Sequence, residues 1–330
     1  MYNSTPNKKN RSLSTWLEKY QRQLTRQLSD TYPTGLAPLD RHQGGGLHPR
    51  VYLLISDSSS VMTALMLQLA AGLTRDTRLP DKTIQHADVL YFSTKTMTDD
   101  LLCSLMCHAI NAPDAQHGLR KPAYTAFDLI QSTCPSADHT LWHTGCAWLT
   151  ATGSTTRLHI FAHEDNFHHQ IKHQITSYLN QPSSSRLCII AAELLDLTAN
   201  PGTDRHAAQN QNCVKTLRYL ARISRRYWTP ILVTAVVSSK LYHTYDYRPA
   251  DVILRLQPDY NPPSPPHGDS HTIQLNHRSA RPERVTLNCL KDHYGWIKPA
   301  TDARQSCRRH IPLHYYPEHG WFMPCNEPAD

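Results

Sequence analysis

Residues 51–74 read VYLLISDSSSVMTALMLQLAAGLT. Val51–Ile55 is a short, wholly apolar run, the pattern of a strand covered on both faces. The segment from Ser56 to Met62 turns the chain, and 63–74 has the apolar content of a helix packed in a core. A buried strand, a turn and a helix opening in Thr-Ala-Leu is the place where a phosphate-binding loop sits in many α/β proteins. Laid over that place, the pattern GxxxxGK[ST] falls on Ser56 to Thr63, and only Thr63 keeps its type. Ser56 and Val61 replace both glycines, and Met62 replaces the lysine. Val61 puts a β-branched side chain where the backbone must curl around phosphate. Met62 removes the cation, and Asp57 adds a negative charge close by. Read alone, the segment is a serine-rich turn.

The same alternation continues outward. Strands are expected at 88–93, 157–161, 186–192, 230–237 and 251–256, with helices near 98–110, 167–180 and 213–227. Residues 111–155 are irregular or helical, and NPGTDRHAAQNQN (200–212) reads as a loop. Strands alternating with helices imply an α/β fold whose mostly parallel sheet is covered by helices on both faces. A Pro-rich loop, 257–270, follows. Then 271–277 and 283–289 read as an edge hairpin. Residues 299–330 form a C-terminal extension whose aromatic residues anchor a partner or, as the preferred reading, cover the sheet edge.

Upstream, residues 1–13 read as a disordered basic tip. Residues 14–33 hold a helix with a narrow stripe of Trp16, Tyr20, Leu24 and Leu28, suited to docking on something else.

Composition narrows the classes. The 330 residues carry 34 Lys plus Arg against 27 Asp plus Glu, a net charge of +7, and 39% are hydrophobic. That is enough apolar material for a core. No apolar run approaches the roughly 18–20 residues of a membrane span, and no secretory signal is expected behind the polar N-terminus. Nine cysteines without a repeating spacing point to free thiols in a cytoplasmic protein. Only 12 residues are glycine, which weighs against a fold with several phosphate loops.

The order Thr34-Gly35-x3-Leu39-Asp40-x4-Gly45-Gly46, then an apolar strand, a loop and TALxLxLA, resembles the C-terminal motor domain of DnaB-type bacterial replicative helicases, which have a RecA-like core. The resemblance runs over about 14–298 and leaves out that family's separate N-terminal domain. Residues 88–93 resemble the strand bearing the catalytic carboxylate, and Leu187–Leu195 the Walker B strand. Residues 14–31 resemble the linker helix that docks on a neighbouring subunit. Arg278, in Asn276-His277-Arg278, falls where the family has its arginine finger.

Carried over position by position, the resemblance implies a degenerate nucleotide site at Ser56, Val61, Met62, Thr63, Lys95 and Ala191. Lys95 stands near the place of the catalytic Glu, and Ala191 at that of the Walker B Asp. Glu193, two places on, is not expected to reach a Mg²⁺, and Val236 replaces a sensing Gln. Phosphoryl transfer needs a phosphate cradle, a metal and a positioned water, so ATP hydrolysis and ATP/Mg²⁺ as cofactors are expected to be lost. The implied role is a binding, structural or regulatory one in DNA replication, including that of a mobile element. Its expected partner is a replication protein or another copy of the chain. Alternatives are a single-stranded DNA-binding protein and a divergent ATP-dependent helicase subunit.

Two further constellations stand out. Lys215, Arg218, Arg222, Arg225 and Arg226 fall within about 100° of a helical wheel, and Arg205 lies just upstream. Such a row meets phosphates or is a solvated face. Cys134, His139, His143 and Cys146 have C-x4-H-x3-H-x2-C spacing, a weak match to a tetrahedral zinc set. Accidental spacing in a chain with 21 His is the preferred reading.

Overall fold

The computed structural model describes residues 13, 17, 21, 31–78, 84–116, 124–125, 128–129, 139–162, 167–180, 186–238, 240–258, 283–292, 295–296 and 310–325. A short helix α1 (Ala37–His42) leads into strand β1 (Val51–Ser56) and helix α2 (Ser59–Thr74). The small ribbon β2 (Thr77–Arg78) and β3 (Ile84–Gln85) precedes β4 (Asp88–Ser93) and α3 (Thr98–Gln116). Helices α4 (Thr140–Ala151) and α5 (Ser154–Arg157) lead to β5 (Leu158–Ala162) and α6 (Phe167–Leu179). Next come β6 (Leu187–Leu197), α7 (Asp204–Tyr227), β7 (Ile231–Val237) and β8 (Val252–Pro258). The chain closes with β9 (Glu283–Asp292), β10 (Gly295–Trp296), β11 (His310–Tyr316) and β12 (Trp321–Pro324).

The strands form one sheet in the order β12-β11-β9-β8-β1-β7-β6-β4-β5, with β10 beside β9. From β8 to β5 every pairing is parallel. β9, β11 and β12 continue it antiparallel. The apolar runs at 51–55 and 187–192 are buried on both faces, as crossover helices on both sides require. One core packs α2 against Tyr52, Leu54, Tyr91, Ile190 and Ala192. The other packs α7 against Leu53, Phe92, Ile189, Ala191 and Val233.

The lead-in motif is a clamp on α2. The Asp40 carboxylate accepts bonds from Thr34 N (2.8 Å), Thr34 Oγ1 (2.7 Å) and Gly35 N (3.1 Å). Tyr32 and Leu47 exchange backbone bonds of 2.8 Å each. The turn so fixed lies against Gly72, where an added Cβ would stand 1.8 Å from Thr34 O. Only glycine permits that approach.

Several expectations change. Helix α2 begins at Ser59 rather than 63, because Ser58 caps it by accepting from Val61 N. Residues 204–212 are the first turns of α7 and not a loop, capped by Thr203 accepting from His206 N at 3.1 Å. Strand β6 runs on to Leu197, past the expected end at 192. Residues 271–277 lie outside the described residues, and the strand begun at 283 is no edge: β8 and β11 flank it. The aromatic C-terminal residues extend the sheet, with Phe322 stacked on Tyr315. Of the N-terminal helix the structure describes Leu13, Leu17 and Gln21, all exposed; its expected stripe lies outside the described residues.

Candidate functional site

The C-terminal ends of β1, β4 and β6 meet the N-terminus of α2, the position at which open α/β sheets hold ligands. The turn from β1 is short. Ser56 Oγ accepts from Ser58 N at 3.3 Å, and helix begins at the next residue. Residues that would form the wide half of a phosphate loop are therefore already helical. Val61 packs partly buried against the core, and its N–H is taken by Ser58 Oγ at 3.4 Å. Met62 is fully buried among Leu65 and Met66, so position 62 points into the core. Thr63 stays at the surface of the cradle.

The carboxylate facing Thr63 comes from Glu193. β6 shifts register against β7 between Ala191 and Leu195, and Glu193 adopts φ 57°. Bulges of this kind re-aim a side chain. Its N–H is held by Thr234 Oγ1 at 2.5 Å. Glu193 Oε1 accepts from Ser59 Oγ (3.0 Å), Thr63 Oγ1 (3.2 Å) and Thr96 Oγ1 (2.8 Å). Oε2 accepts from Ser93 Oγ (3.1 Å) and Thr96 N (2.9 Å). Burial alone would push this carboxyl up, but the bonds from Thr96, Ser59 and Ser93 overcome it and hold it below the ordinary range. Glu193 is thus an anion placed at the N-terminus of α2, where the helix dipole favours one.

This corrects two sequence readings. Ala191 is no part of the cradle, since it is buried in the opposite core behind the sheet. Glu193, expected to fall short, touches the Thr63 hydroxyl instead. One signal was available in the sequence: Glu193 is the first acidic residue in the apolar run 187–197, and a charge in such a run is retained only with partners.

Lys95 is turned away from the cradle, paired with Asp196 at 3.1 Å, both half exposed. Thr94 Oγ1 donates to Glu193 O at 2.8 Å. Val236 stands opposite Ser56 and Asp196 in the sheet. Arg278 lies outside the described residues.

On α7, Arg205, Lys215, Arg218, Arg222, Arg225 and Arg226 are all exposed. Arg218, Arg222 and Arg225 line a shallow groove with Arg248, a residue the sequence reading missed. Arg248 grips Asp246 through two bonds of 2.9 and 2.7 Å. The amides upstream are structural: Gln209 Oε1 accepts from Ala199 N and Tyr245 OH, and Asn210 Oδ1 from Asp246 N.

For the zinc candidate, Cys134 lies outside the described residues, His139 and His143 are exposed, and Cys146 packs beside Leu105 and Met106. Among the described residues no group of three His, Cys, Asp or Glu could hold a metal, and the seven described cysteines are free. No described helix is long and apolar enough to cross a membrane.

A parallel sheet with this strand order and a cradle between β1 and α2 is the RecA-like ATPase-domain fold of replicative helicases. Solved structures agree. The chain superposes on a solved ATPase domain of a DnaB-like helicase with a TM-score of 0.59 at 14% identity, covering 96% of this chain and 99% of that one. It superposes on a DnaB-like replicative helicase, described with its interactions with primase, with a TM-score of 0.58 at 14% identity, covering 97% and 68%. No family model matches the sequence, and no curated protein matches it.

Proposed function

We propose that this helicase-like chain is a binding, structural or regulatory component of DNA replication that does not turn over ATP. One observation carries the reading: the Glu193 carboxylate occupies the Thr63 hydroxyl where a nucleotide's metal and phosphates would need it. A phosphate brought there meets a fixed negative charge, and Met62 offers no cation. The DnaB-like helicase of similar fold is described with primase, which supports a replication protein, or another copy of the chain, as the partner.

Isothermal titration of the full chain with ATP and Mg²⁺ tests this. The expected result is no heat of binding at millimolar nucleotide, and phosphate release equal to the buffer blank. Turnover above the blank that disappears in Thr63→Ala would overturn it, in favour of a divergent ATP-dependent motor.

A second reading, single-stranded DNA binding, is favoured by the exposed row Lys215, Arg218, Arg222, Arg225 and Arg226. It requires affinity for oligo(dT) that falls steeply with salt. Neutralising Arg218, Arg222 and Arg225 together should remove that affinity.

A further inference from the structure

A cavity of about 430 Å³ opens from the cradle, within the range of roughly 300–1,000 Å³ that small-molecule sites occupy. Its wall follows α3 from Thr96 past Ser104 to His108, and the turn after β11 closes the far side with Tyr315, Pro317 and His319. Ala64 and Leu67 supply an apolar floor.

The polarity of this cavity is opposite to that of a phosphate site. A hydroxyl has one proton and two lone pairs. Ser59, Thr63 and Thr96 each direct that one proton at Glu193 Oε1, so only acceptor lone pairs remain for an incoming molecule. The Thr96 and Val61 backbone N–H groups are also taken, by Glu193 Oε2 and Ser58 Oγ. A phosphate, which brings acceptors alone, meets acceptors and a negative charge. An ammonium brings three donors and no acceptor, and each of its needs is met.

A second observation points to a ligand independently. His108 lines the same cavity and is 6% exposed, yet its Nδ1 has no hydrogen-bond partner among the described residues. Burial pushes its pKa down to about 3, so the ring is neutral at physiological pH. It stacks on Trp321 at 4.2 Å. A buried imidazole nitrogen without a partner is an unmet polar group.

We propose that this cavity binds a small organic cation, a primary ammonium on a short apolar or aromatic body, with the ammonium against the hydroxyls around Glu193 and the body along Leu67 and Tyr315. The inference rests on the absence of nucleotide from the cradle, and the experiment separates the two.

The full chain is titrated with phenethylammonium, with the uncharged 2-phenylethanol, and with ATP and Mg²⁺, by calorimetry and thermal melting. The ammonium should bind with a Kd of millimolar or below and raise Tm, and the alcohol should bind at least tenfold more weakly. Glu193→Gln should remove the preference for the cation. Ser104→Trp, at an exposed position on the wall, should weaken the ammonium at least tenfold with Tm of the free protein unchanged. Equal binding of amine and alcohol, no binding of either, or full binding by Ser104→Trp overturns the proposal. Binding of ATP overturns the reading of the cradle, whatever the amine does.

Discussion

At the scale of single residues, Glu193 decides what the cradle is. Five hydrogen bonds converge on one carboxylate and tie the start of α2 to the ends of β4 and β6. Bonds to a charged group are worth about 1.5–3 kcal/mol, and donors left buried without an acceptor cost more. Glu193→Ala should therefore lower stability by about 2–3 kcal/mol in urea denaturation. The pH dependence follows from the sign of the shift. The folded-state pKa lies below the unfolded value, so the stabilisation is complete above the unfolded pKa and is lost as pH falls through the folded one. Asp40 works the other way, because burial raises its carboxyl despite the bonds from Thr34 and Gly35. The Glu193 part is isolated by comparing wild type with Glu193→Gln between pH 3 and 7: the variant should lose less stability on acidification. Parallel curves for the two proteins would mean the carboxylate carries no net stabilising charge.

At the scale of elements, most of the sequence reading concerned periods and most of its errors concerned caps. The alternation of strand and helix, and the buried character of β1, β4 and β6, were legible because an apolar run covered on both faces has no polar alternative. The starts of α2 and α7 were not. Serines at 58–60 favour turns and caps equally, since their hydroxyls compete with the backbone, and here one of them caps. At 204–212 the Asn, Gln and His content reads as loop, while Thr203 and Asp204 supply the cap and the acidic first turn that extend the helix upstream. Thr203→Ala should cost about 1 kcal/mol and raise amide exchange over 204–210 well before the rest of α7. Unchanged exchange there would show that Gln209 and Asn210, through Tyr245 and Asp246, hold those turns without the cap. The bulge at Glu193 was illegible for a different reason: a register shift depends on the partner strand, and a single strand's pattern does not contain it.

At the scale of the whole molecule, the sheet does not end where the parallel core ends. β11 and β12 are built from residues whose mixture of Pro, His and aromatics hides the period of two, so only their pairing partners define them. Their attachment is specific. The Gln68 side chain on α2 donates to Phe322 O and accepts from Phe322 N, each at 2.8 Å. One amide thus satisfies the backbone of the edge strand, a position that otherwise invites pairing with another chain. Phe322 itself is 1% exposed and belongs to the same core as Tyr52 and Leu65. The hairpin is therefore part of the unit that folds with α2, and it also forms the wall of the cavity beside the cradle. Phe322→Ala should cost about 3–5 kcal/mol in a single cooperative transition, and should weaken phenethylammonium in the same protein. If the variant instead melts in two steps, with the parallel core keeping the wild-type midpoint, the hairpin is an independent flap and the cavity it closes would not be rigid enough to select a ligand.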